Sequence, residues 1–167
     1  MIKIYTRTGD SGKTSLRLGV RVDKDDPRIE ANGQTDQLNA ILGIVRCMLP
    51  KGSADAEFIE AIQNRLMDLM SYVATSGQME CKKEEYLSQI RQMEERIDSK
   101  ANLPAFHFDI PGSCTLNGFL HLARTQCRTV ERRLWTLNKT YPLDDSVLHF
   151  LNRLSDYLFA LAVSVQE

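Results

Sequence analysis

The chain has few of the side chains that usually announce a site. Among its 167 residues are one tryptophan, three histidines and four cysteines, and aromatics amount to 7%. Cys47, Cys81, Cys114 and Cys127 form no CxxC pair, and none has a histidine at zinc-ligand spacing. That argues against a structural zinc site or a dithiol motif. The expectation is free thiols, buried or half-buried, in a reduced cytoplasmic setting. His107, His121 and His149 are scattered and have no carboxylate or cysteine at a telling distance, so structural or surface roles are expected for them. A surplus of one charge is also lacking. Lys plus Arg number 21 and Asp plus Glu 22, for a net charge of −1, which speaks against a general nucleic-acid or membrane-surface binder. No apolar run approaches the roughly 18 residues that cross a bilayer. Short Val/Ile-rich runs are missing too, so a parallel α/β sheet is not expected.

What is present is helical periodicity. Hydrophobic residues make up 43%, and the length suits one domain with a sizeable core. Residues 1–24 stand apart, with Gly9, Gly12 and Gly19, several Thr and Ser, and little periodicity. They read as a loop-like arm with a short strand at Ile2–Tyr5. Beyond them the first helix should start at Asp26-Pro27, a good cap followed by a residue suited to the first turn. It carries Leu38, Ile41, Leu42, Val45 and Met48, and ends at Pro50-Lys51-Gly52. A second helix fits Phe58, Ile62, Leu66, Leu69 and Val73, stopping near Gly77. A third, highly charged, fits Tyr86, Ile90, Met93 and Ile97. Pro104 and Pro111-Gly112 mark a connecting loop. A fourth carries Leu116, Leu120, Ala123, Cys127, Val130, Leu134 and Leu137 in one stripe, and Tyr141-Pro142 breaks it. The fifth carries Val147, Leu151, Leu154, Leu158, Leu161 and Val165. The expectation is an all-α, five-helix up-and-down bundle spanning 1–167 as one domain, with the arm at 1–24 and the helices in 25–167.

Candidate chemistry lies in a few polar groups. The arm reads Thr6-Arg7-Thr8-Gly9-Asp10-Ser11-Gly12-Lys13-Thr14-Ser15. Glycines let backbone N–H groups approach an anion, while hydroxyls and cations add donors and charge, a composition that suits a polyphosphate. Gly12-Lys13-Thr14 is not a P-loop, because that motif needs glycine at position 7, which is Arg7. In the fourth helix Arg124, Arg128 and Arg132 recur every four residues with Glu131 among them. They form either a solvated, salt-bridged face or an anion-binding wall, for which the planar guanidinium is well suited. Asp36 and Asn39 are polar positions in an increasingly apolar first helix. In the fifth, Arg153 and Asp156 stand at pairing distance. Asn152, if buried, needs partners and so either fixes packing or meets a ligand. Phe106-His107-Phe108 puts two aromatics in the loop, to pin it to the core or to cover a large flat ligand.

In order, four blocks resemble the ATP:cob(I)alamin adenosyltransferases of the PduO type. They are Tyr5 to Gly12, Lys24 to Ala31, Arg124 to Arg133, and Leu151 to Leu158. The resemblance runs over nearly the whole chain. It implies a homotrimer with active sites between neighbouring subunits and ATP with Mg²⁺ held by Thr6 to Ser15, Lys24, Arg128, Glu131, Arg132 and Asn152. It further implies an intersubunit salt bridge between Asp36 and Arg124, and Phe108 as the aromatic closing the lower face of the corrin ring. Departures from the family pattern are Gln37 in place of Glu, Thr129 in place of Arg, Arg17-Leu18-Gly19 where two glycines are usual, and Asp109 beside Phe108.

The activity implied is transfer of the 5′-deoxyadenosyl group from ATP to cob(I)alamin, with Arg128, Phe108, Asp36 and Arg124 as the catalytic set. A cobalamin reductase and an adenosylcobalamin-dependent enzyme are the implied partners, with no role for nucleic acid or membrane. Two other readings stand beside it: an ATP- and corrinoid-binding sensor or B12 escort with weak or no turnover, and a purely structural helical oligomer.

Overall fold

A computed structural model describes residues 7–76, 78–100 and 110–165. Five helices dominate: α1 (Pro27–Met48), α2 (Ala54–Ala74), α3 (Lys83–Lys100), α4 (Thr115–Asn138) and α5 (Asp145–Ser164). Before them the arm forms a small antiparallel hairpin of β1 (Lys13–Ser15) and β2 (Arg21–Asp23), with Thr14 opposite Val22. The hairpin lies where no strand was expected. The strand expected at Ile2–Tyr5 lies outside the described residues.

The helix starts follow from capping chemistry. Asp26, Ser53 and Asp144 each accept a backbone N–H of the first turn, satisfying one of the donors a helix start leaves open. Cys114 does the same for α4 through its sulfur, 3.4 Å from the Asn117 amide.

Side-chain bonds give the helix directions. Asn32 reaches the Met70 carbonyl at 3.0 Å and Arg46 pairs with Glu60 at 2.7 Å, so α1 and α2 are antiparallel. Arg133 pairs with Glu30 at 3.4 Å and Gln126 reaches the Gln34 carbonyl at 2.9 Å, so α4 runs against α1. Asn117 bonds the Ala162 carbonyl and Cys127 the Leu151 carbonyl, so α5 runs against α4. Helix α3 runs beside α5 in the same sense, with Tyr86 edge-on to Phe150 and Glu94 paired with Arg153. It meets α2 through long side chains: Arg96 bonds Asp55 at 3.0 Å and its guanidinium lies 4.2 Å from the Phe58 ring centroid. The up-and-down bundle is therefore observed, with α3 and α5 as parallel neighbours.

The apolar stripes read from the sequence meet in one core that includes Leu38, Leu42, Ile62, Leu66, Leu120, Leu134, Leu154 and Leu158, all fully buried. Each such side chain stabilises the fold by about 1.5–3 kcal/mol. Cys127 is buried and Cys81 and Cys114 are half-buried as expected, but Cys47 is exposed at the end of α1. No helix among the described residues is long and apolar enough to cross a membrane.

Candidate functional site

The arm is folded around its glycines. Asp10 N–H donates to the Arg7 carbonyl at 3.4 Å and Gly12 N–H to the Gly9 carbonyl at 3.2 Å. Gly12 sits at φ +78°, a left-handed conformation that glycine adopts without strain. After the hairpin the chain returns, and the Lys24 amide donates to the Gly12 carbonyl at 2.9 Å. The Lys24 side chain lies close to Gly9: a Cβ built there would stand 3.5 Å from its Nζ. Lys13 is held by Asp23 at 2.8 Å, while Arg21 bonds the Thr8 carbonyl at 2.7 Å and the Ser15 hydroxyl at 3.3 Å. Asp10, Ser11 and Gly12 are exposed and Thr14 is partly covered. Amides around a glycine turn, with an ammonium beside them, can cradle an anion.

The second group straddles α4 and α5. Asn152 donates to Glu131 Oε1 at 3.4 Å. Arg128 and Arg132 are exposed one helical turn apart, and Arg132 donates to the Thr129 hydroxyl at 3.1 Å. Among the described residues Arg128 has neither a hydrogen bond nor an ion pair, so its fork faces solvent. Asn152 is exposed, not buried. It projects from the side of α5 away from Leu154 and Leu158, so it demands no internal partners. Arg153 takes the structural role, bonding both Glu94 and Asp156. The Glu30–Arg133 pair places the first turn of α1, where the arm is attached, beside the arginine-bearing stretch of α4.

The third group is centred on Arg124, half-buried on α4. Its Nε donates to His121 Nδ1 at 3.3 Å, and its guanidinium lies 6.0 Å from the ring centroid of Phe159 on α5. His121 is buried and meets the same ring edge-on at 6.2 Å. Asp36 is exposed on α1, and among the described residues it makes no ion pair with Arg124 inside one chain. Thr6, Phe108 and Asp109 lie outside the described residues. Also among the described residues, no three His, Cys, Asp or Glu side chains cluster so as to hold a metal ion.

Sequence reasoning missed His121 as the support of Arg124, although its position three residues before Arg124 on one helix was a signal. Arg28 and Tyr141, which meet at the start of α1, carried no such signal. The Arg28 guanidinium lies 4.3 Å from the Tyr141 ring centroid, a contact between distant parts of the chain that no local pattern reveals.

A glycine-lined, lysine-bearing arm on a helical bundle whose fourth helix presents exposed arginines defines a helical-bundle protein equipped to hold a polyanion. Comparison with known proteins makes this specific. The cobalamin adenosyltransferase family matches residues 4–165, and the chain belongs to that family. It is 40% identical over 166 residues to corrinoid adenosyltransferase PduO of Salmonella typhimurium, covering 95% of this chain and 48% of that protein. It is 37% identical to a corrinoid adenosyltransferase of Citrobacter freundii, covering 97% of this chain and 94% of that protein. The chain thus spans about half the length of the Salmonella PduO relative and nearly all of the shorter Citrobacter one. A solved variant of the PduO-type ATP:corrinoid adenosyltransferase from Lactobacillus reuteri, complexed with cobalamin and ATP, superposes with a TM-score of 0.85. The two share 34% identity over 96% of this chain and 89% of that one.

Proposed function

We propose that this chain transfers the 5′-deoxyadenosyl group of ATP to cob(I)alamin, releasing triphosphate. Two exposed features support this reading: the Gly9–Gly12 turn with Lys24 beside it, in the arm that leads into α1, and Arg128 and Arg132 on α4, the helix joined to the first turn of α1 by the Glu30–Arg133 pair. Membership in the family, and the ATP and cobalamin bound to the Lactobacillus reuteri relative, support it.

In this reading cobalt(I) is the nucleophile. It attacks the 5′ carbon of ATP, the cobalt–carbon bond forms, and the carbon–oxygen bond to triphosphate breaks. No protein acid or base is required. The protein's contribution is orientation and stabilisation of the charge on the leaving group. Thr6 to Ser15 and Lys24 hold the phosphates from one side. Arg128 and Arg132 neutralise them from the other, while Glu131 and Asn152 fix the flank of that surface. Mg²⁺ travels with the nucleotide as MgATP. Phe108 covers the lower face of the corrin, excluding water and keeping the axial position empty, so that cobalt(II) is easier to reduce.

The active unit is a homotrimer in the cytoplasm. Each site lies between two subunits, with Asp36 of one paired to Arg124 of the next. The exposure of Asp36, the Gly9–Gly12 turn and Arg128 supports this, since a neighbouring copy would bring such surfaces face to face. The chain acts as one domain, with its arm at 1–24 and its bundle at 25–167. A cobalamin reductase supplies cob(I)alamin and an adenosylcobalamin-dependent enzyme consumes the product.

The test is an anaerobic absorbance assay with chemically reduced cob(I)alamin, protein and MgATP. Loss of the cob(I)alamin band, with a light-sensitive product spectrum appearing, is the expected result. Binding of MgATP without loss of the band would replace the enzyme by a sensor or escort.

A further inference from the structure

Among the described residues, the hydrogen bonds of Lys13, Ser15, Arg21 and Lys24 all run within the arm. A two-stranded hairpin of this size is marginal by itself. Its direction therefore depends on how it is mounted, and the mount lies only two residues beyond Lys24. Asp26 N–H donates to the Asp23 carbonyl at 3.1 Å, and the Asp26 carboxylate then caps α1. Its Oδ1 accepts from both the backbone N–H and Nε of Arg28 at 2.9 Å, and its Oδ2 accepts from the guanidinium at 2.6 Å. The remaining guanidinium nitrogen donates to the Ser76 hydroxyl at 2.8 Å, just past the end of α2. The Tyr141 ring, in the α4–α5 connection, lies 4.3 Å from the guanidinium carbon. Arg28 is 9% exposed, unusual for a residue in the first turn of a helix.

Each of the three guanidinium nitrogens donates a hydrogen bond. A bidentate fork fixes the plane of the carboxylate, so Asp26 cannot turn without breaking that fork or drawing Arg28 away from Ser76 and the ring. Turning Asp26 would in turn move Lys24, whose amide holds Gly12 and whose ammonium lies by Gly9. The node thus joins the phosphate-facing loop to three separate parts of the bundle.

We propose that Asp26, Arg28, Ser76 and Tyr141 form the mount that orients the arm, with Arg28 a positioning residue for nucleotide binding by the Gly9–Gly12 turn and Lys24. This rests on the reading of the arm as the ATP-binding element. Arg28 acts through Asp26 and touches no phosphate itself.

The test compares Arg28→Met, Tyr141→Leu and the conservative Tyr141→Phe, all in the full chain. Amide exchange is followed in residues 12–24 and in the α4 core, together with the Kd for MgATP and kcat at saturating ATP. In both disruptive variants arm exchange should rise by about tenfold beyond whatever protection the α4 core loses through the overall fall in stability. The Kd should weaken by about tenfold, equivalent to about 1.4 kcal/mol, with kcat within about twofold of the parent. Tyr141→Phe should behave as the parent. Arm exchange that stays unchanged, or an arm and core that loosen to the same extent, overturns the mount. A loosened arm with unchanged ATP affinity overturns the positioning role. If the parent binds no MgATP, the functional reading fails, and arm exchange alone still decides the mount. Should Arg28→Met not fold, Tyr141→Leu carries the decision.

Discussion

Arg128→Ala should separate catalysis from stability more sharply than any other single change. The side chain is exposed on α4, with no hydrogen bond or ion pair among the described residues. Removing it opens no cavity and orphans no partner, so unfolding free energy should move by no more than about 0.5 kcal/mol. Losing one charged contact to the departing triphosphate costs about 3 kcal/mol of transition-state stabilisation, or a factor of roughly 10² to 10³ in rate. The disparity follows from the position: among the described residues the fold makes no use of this guanidinium, whereas the proposed reaction would use its full charge. The assay pairs thermal unfolding with the anaerobic decay of cob(I)alamin under saturating MgATP. A variant that melts with the parent and reacts hundreds of times more slowly fits. A variant within about threefold of the parent rate would refute the role given to Arg128, and a large fall in Tm would show that the structural account of α4 is wrong.

Other predictions follow from the arm and the core. Leu18 is 71% exposed at φ +69°, a conformation that strains a bulky residue. Leu18→Gly should therefore leave stability unchanged or raise it by up to about 1 kcal/mol, read by chemical denaturation. The Tyr157 hydroxyl donates to Asp55 at 3.3 Å, so Tyr157→Phe should cost about 1 kcal/mol and lower Tm by roughly 3 °C, measured by calorimetry. Hydrogen bonding from Arg28 holds the Asp26 carboxyl below the usual carboxylate range, and bonds from Ser146 do the same for Asp144. Both groups release protons more readily folded than unfolded, so their stabilisation is full above the unfolded value of about 3.9. It is lost as pH falls through the lower folded values. Unfolding midpoints should drop below about pH 4, and Asp26→Asn should flatten that drop.

The helices were legible because their signals are local. Asp26-Pro27 both caps and opens α1, as the residue types require. The stripe from Leu120 to Leu137 recurs at the helical period and is buried throughout. The hairpin was not legible: β1 and β2 have three residues each, too few to show alternation, and their pairing depends on a turn through Leu18 and Gly19. Asn152 was read as a polar group within an apolar helix, yet one residue away from Leu151 is enough to turn it outward. Arg128 and Arg132 could be placed on one face from spacing alone, but their exposure depends on what packs beside α4. The Arg28–Tyr141 contact joins residues far apart in the chain, so only the folded arrangement shows it.

The most direct test of the central claim is a single-turnover experiment with enzyme in excess over cob(I)alamin, anaerobic and with MgATP, quenched over time. Both products are measured in the same samples. Adenosylcobalamin and intact inorganic triphosphate should appear together, one for one. Release of phosphate or diphosphate in place of triphosphate, or persistence of cob(I)alamin while ATP is bound, would contradict it.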